Sequence, residues 1–159
     1  MIQRIQSLYL LFAIIFMVTF ACMPYATITT TDATYNLLSY GLETAAATNA
    51  VTVSAPNYTV VILSCLTALL SLIAIFLFKN RRTQVLVCKV NTLLYITLYI
   101  VMALYGFLTY TDLQASGISV TPYIVFPVCA IIVNSIAISS INKDEQMVRD
   151  SERMWSRKN

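Results

Sequence analysis

Four apolar runs separated by short polar stretches dominate the pattern along the chain. The first covers Ser7 to Met23 and ends at Pro24, and the second, Tyr58 to Phe78, stops at Lys79, Arg81 and Arg82. The third occupies roughly Val85 to Leu108 and closes at Tyr110, Thr111 and Asp112; the fourth runs from about Thr121 to Ile141 and meets Lys143. A bilayer core about 30 Å thick is crossed by on the order of 20 apolar residues in a helix, and only helices or closed barrels satisfy their backbone there. The pattern therefore predicts an all-α membrane protein, a four-transmembrane-helix bundle with helices over about 7–23, 58–78, 85–108 and 121–141.

Two polar stretches carry patterns of their own. In the loop 24–57, the alternation of ATITTT at Ala26 to Thr31, followed by Thr34 to Leu38, predicts a small β-hairpin resting on the helix ends. An isolated hairpin is marginal, so a third strand near Val51 to Ser54 or contact with the bundle is needed; a mobile polar loop is the competing reading. Residues 142–159 read as an amphipathic helical tail, with Met147, Val148, Met154 and Trp155 on one face and a basic row of Arg149, Arg153 and Arg157. Such a tail suits docking to a cytoplasmic partner or anionic lipid, and equally a solvated extension that fixes topology.

Composition strengthens the membrane class, since 58% of the 159 residues are hydrophobic and 11% are charged, about half the usual charged share. Charge adds orientation. Arg4, the group Lys79, Arg81, Arg82 and Lys89, and the five cations beyond Ile141 all fall on one side of the four spans, whereas the opposite loops hold only Asp32, Glu43 and Asp112. Cytoplasmic loops retain Lys and Arg, so both termini are expected in the cytoplasm. The net charge of +3 is thus a topological signature, and no nucleic-acid partner is expected. Arg4, the first apolar run and Cys22 also suggest a cleaved signal. The residues before Cys22 suit a lipoprotein site only at Ala21, however, and removal would break the charge alternation, so retention is expected.

Candidate chemistry is sparse. The chain has no histidine, no Asp or Glu within a predicted span, and three scattered glycines. No catalytic, metal-ligating or cofactor-binding residue is expected, no cofactor, and no enzyme. Cys22, Cys65, Cys88 and Cys129 fall one per span and read as packing residues. Lys89 lies near the cytoplasmic end of the third span and reads, with Trp155, as an interface anchor. Asn91 and Asn134 fall at comparable depth on the third and fourth spans, predicting an interhelical polar layer with a hydrogen bond between them, as packing or as a small-ligand site. Ser64, Ala68, Ser71 and Ala74 form a small-residue seam on the second span. Pro127, well inside the fourth, predicts a kink that frees the Tyr123 carbonyl. Tyr25, Tyr58, Tyr110 and Tyr123 mark the outer boundary, with their hydroxyls expected to be wet.

These features favour a non-enzymatic structural or accessory subunit that binds the bilayer and another membrane protein or itself. The alternative is a small transporter or a lipid- or quinone-binding protein using the Asn91/Asn134 layer.

The start MIQRIQSLYL, the segment FLFKNRRTQ at Phe76 to Gln84 and the ending INKDEQMVR at Ile141 to Arg149 together resemble a family of small inner-membrane proteins of Bacteroidota known as a domain of unknown function. The resemblance implies a multi-pass protein of the bacterial cytoplasmic membrane with periplasmic outer loops, and brings no activity, substrate or cofactor. By shape alone the long first loop is similar to claudin-type bundles, although the tryptophan and paired cysteines of that loop are missing here.

Overall fold

The computed structural model describes residues 2–31, 33–44, 58–77 and 80–156. Four helices dominate it: α1 (Ile2–Cys22), α2 (Tyr58–Phe76), α3 (Arg81–Asp112) and α4 (Val125–Ser156). They are arranged in cyclic order, α1 against α2 and α4, and α3 against α2 and α4. Three segments, in α2, in α3 and over Pro122–Val148, are long and apolar enough to cross a membrane; the apolar part of α1, Gln6–Cys22, is shorter.

Each helix buries one narrow row of residues. In α1 the row is Gln6, Leu10, Ala13, Met17 and Phe20; in α4 it is Ala130, Asn134, Ala137, Ile141 and Asp144. The row in α3 runs from Gln84 through Cys88, Asn91, Tyr95 and Leu98 to Met102. Steps of four and three average 3.5 residues, the spacing that keeps a seam turned toward its neighbours in a left-handed bundle. The α2 row is Val60, Ser64, Thr67, Ser71 and Ala74, so Thr67 takes the place expected for Ala68, which is half-buried. Large apolar side chains such as Leu11, Ile62, Leu93 and Ile132 face outward, while many seam residues are small or polar. That distribution suits a lipid exterior and would be an aggregation hazard in water.

The hairpin of β1 (Ala26–Thr29) and β2 (Thr34–Leu38) continues into β3 (Gly41–Thr44), where Gly41 has a positive φ of 151° that favours glycine. The expected strand at Val51 to Ser54 lies outside the described residues. The remaining strand comes instead from the connection between α3 and α4: β4 (Gly117–Val120) pairs antiparallel with β1, giving the order β3-β2-β1-β4. The sheet turns Ala26, Ile28, Leu37 and Leu42 onto the bundle, where they join Met17, Phe20, Val60 and Leu98 in one core. A second, smaller core of Leu10, Ala74, Cys88 and Ala137 lies at the uncapped end.

Pro127 does not lie well inside α4. A short 3-10 turn at Pro122–Ile124 precedes the helix, which starts at Val125. Pro127 therefore occupies the first helical turn, where a backbone N–H has no intrahelical acceptor to lose. The Ile124 carbonyl, just before the helix, accepts a 2.6 Å hydrogen bond from the Tyr99 hydroxyl. At its other end α4 runs without a break to Ser156, so the tail continues the helix.

Candidate functional site

Two features stand out in the bundle, a buried polar layer and an apolar cleft under the sheet. The layer is centred on α3. Asn91 Nδ2 donates to Ser71 Oγ on α2 at 2.8 Å and to Tyr95 Oη at 3.3 Å, and Ser71 Oγ and Tyr95 Oη are themselves 3.3 Å apart. Asn134 Nδ2 on α4 donates to the Cys88 carbonyl at 2.8 Å and to Thr92 Oγ1 at 2.9 Å. Cys88 and Thr92 bracket Asn91 along α3, so both amides lie at one level.

The expected bond between them is not made. Each Nδ2 is occupied elsewhere, and neither Oδ1 has a partner among the described residues. One amide ties α2 to α3 and the other ties α3 to α4. Asn134→Leu is accordingly expected to destabilise the protein by about 1 kcal/mol, the range of interhelical hydrogen bonds in membranes. Thermal unfolding in mild detergent checks this; an unchanged midpoint would mean that the two bonds contribute nothing net.

Polar pairing extends to the uncapped end. Gln84 Nε2 donates to the Ala74 carbonyl at 3.0 Å. Gln6 Nε2 on α1 donates to Asp144 Oδ2 on α4, and both residues are buried. Asp144 was expected in a solvated tail, yet it continues the seam one step past Ile141. Gln6 does the same before Leu10. Extending the 3-4 spacing beyond the apolar runs is the sequence signal that would have found both.

The other candidates fall on the surface or beyond the described residues. Lys89 is exposed on α3. Arg153, Met147, Val148 and Met154 are exposed on α4, while the side chains of Arg149 and Trp155, and Arg157 altogether, lie outside the described residues. Only Cys88 among the cysteines is buried; Cys129 is half-buried, and Cys22 and Cys65 are exposed, so packing does not describe those two. Among the described residues no three His, Cys, Asp or Glu gather into a group that could hold a metal.

The cleft lies at the capped end, between α3 and the sheet, with a volume of about 400 Å³, within the ~300–1,000 Å³ range of small-molecule sites. Its α3 wall is formed by Tyr99, Met102, Ala103, Gly106, Phe107 and Tyr110, and its sheet wall includes Ala26, Ile118 and Val120. Tyr25 also borders it. Contrary to the expectation of a wet boundary tyrosine, Tyr25 is 2% exposed and its hydroxyl has no partner among the described residues. Burial, with a smaller contribution from Tyr105, pushes the Tyr25 phenol above its usual range. It remains neutral throughout the physiological range.

No match is found among proteins of curated function. The family model described as "Domain of unknown function (DUF4293)" matches residues 2–154, and the protein therefore belongs to that family.

Proposed function

We propose that the protein is a four-span, non-enzymatic accessory subunit of the bacterial inner membrane that binds another membrane protein, with both termini in the cytoplasm and the sheet in the periplasm. The observation that carries this reading is the exposed pair Met147 and Met154, seven residues apart on one face of α4. It lies beyond Lys143, where α4 turns from apolar to charged. Apolar side chains in that position gain nothing from lipid and gain from a partner. The placement of all ten cations toward one end of the spans supports the orientation. The Nδ2 groups of the inward-facing amides are engaged with neighbouring helices, as suits a scaffold.

Photo-crosslinking from position 154 in intact cells tests partner binding. A reproducible adduct with one membrane protein, lost when Met147 and Val148 are replaced by serine, is the expected result. Adducts with lipid alone, or a random spread of proteins, would remove the accessory reading. Thiol labelling of cysteines introduced at Ser119 and Ser156 tests the orientation separately, Ser119 being expected to react with an impermeant reagent from outside and Ser156 not.

A further inference from the structure

The cleft has a definite structural origin. Asn134 is tied to α3 at Cys88 and Thr92, and α4 begins nine residues before it, at Val125, where Tyr99 Oη meets the Ile124 carbonyl. α3 continues thirteen residues past Tyr99 to Asp112, about 20 Å at 1.5 Å per residue. Over that stretch α3 has no α4 beside it. The sheet roofs one side through β1 and β4, and the remaining gap is the cleft.

Its shape and chemistry identify an occupant. From Tyr99 to Tyr110 the α3 wall is about 16 Å long, so the space is a slender trough parallel to the helices. The lining is almost entirely apolar, and the Tyr99 hydroxyl is already engaged. At Gly106 an added Cβ would meet nothing within 4 Å, so the space beside the helix is open there. Phe107, Ile118 and Val120, at the rim, are 65%, 48% and 60% exposed, giving the mouth an apolar edge. Neither the connection from α1 to α2, 24–57, nor that from α3 to α4, 110–123, contains a Lys or Arg, and Asp112 is the last residue of α3.

We propose that this cleft seats one acyl chain of a zwitterionic lipid from the outer leaflet, entering sideways past Phe107 and Val120. A linear chain fills a trough that a compact ligand would leave half empty. An anionic headgroup would find no cation at this end, whereas a headgroup ammonium meets only carboxylates. The site rests on the reading that the helices cross a membrane with the sheet outside.

The test reconstitutes the full-length protein in phosphatidylethanolamine nanodiscs containing a trace of the same lipid with a photoactivatable acyl chain, and maps adducts by mass spectrometry. Labelling of the segments around Gly106 and Val120 is expected to exceed that of the outward residues Ile62 and Leu69 by about tenfold, which corresponds to 1.4 kcal/mol of preference. Gly106→Trp fills the trough and is expected to abolish the excess while labelling at Ile62 and Leu69 is unchanged. Ala103→Trp provides a second occlusion should the first variant fold poorly. Equal labelling at all sites, or an excess that survives both occlusions, would overturn the proposal. So would stronger labelling by a phosphatidylglycerol probe, a co-purifying quinone, or occupation of the trough by residues 45–57 or a second copy. Loss of labelling at Ile62 and Leu69 in the unmodified protein would instead refute the membrane reading itself, so the two failures are distinguishable.

Discussion

Gln6→Leu is expected to cost the protein about 2–3 kcal/mol, although it places an apolar side chain at a buried position. Gln6 and Asp144 are 4% and 6% exposed, and Gln6 Nε2 donates to the Asp144 carboxylate. Hydrogen bonds to charged groups contribute about 1.5–3 kcal/mol, and removing one member leaves the other desolvated without its partner. The double variant Gln6→Leu, Asp144→Leu removes both polar groups together and is expected to recover most of the loss, since a well-packed apolar pair is often neutral relative to a buried polar one. A double-mutant cycle of thermal unfolding in mild detergent reads the coupling directly. Additive effects of the two single changes would show that the pair does not act as a unit.

The second large effect is expected at the joint between bundle and sheet. Phe20 is fully buried one turn from the end of α1, with its ring centroid 6.2 Å from that of Tyr25. It belongs to the core that also holds Ile28 and Leu37 of the sheet. Phe20→Ala removes a large side chain from a closed site and is expected to cost about 3–5 kcal/mol. The loss should be uneven. Amide hydrogen exchange is expected to accelerate across β1 and β2 well before helix content falls. Leu10→Ala, in the separate small core, should leave exchange in the sheet unchanged. Equal acceleration in both variants would contradict a joint that depends on Phe20.

The elements that the sequence makes plain are those whose reason for existing is local. Apolar runs of span length announce helices because their backbone has no alternative in hydrocarbon, and the alternation in ATITTT announces β1. β4 was not legible for the opposite reason. Four residues, Gly117 to Val120, carry no periodicity of their own, and their partner β1 is about ninety residues away. The need of Asn91 and Asn134 for partners could be read from composition, but the partners could not. Ser71, Tyr95 and Thr92 are ordinary span residues until the register of three helices is fixed. Asp144 misled because a carboxylate between Lys143 and Glu145 looks solvated, and only helical phase shows that it turns inward. Pro127 is hard to place from sequence because the apolar run extends back to about Thr121, four residues before the helix begins. The cleft follows from that same offset between α3 and α4, so it was invisible until both starting points were known.

The way β1 is shared has a consequence for biogenesis. Its inner neighbour β2 follows within a few residues, but its other edge is covered only by β4, after α2 and α3 have been made. During synthesis the nascent chain therefore carries an unpaired strand edge while well over half its length is still to come from the ribosome. Such an edge is a template for wrong pairings until its native partner arrives. Slowed elongation through α3 should prolong that interval, whereas slowing after Val120 should not.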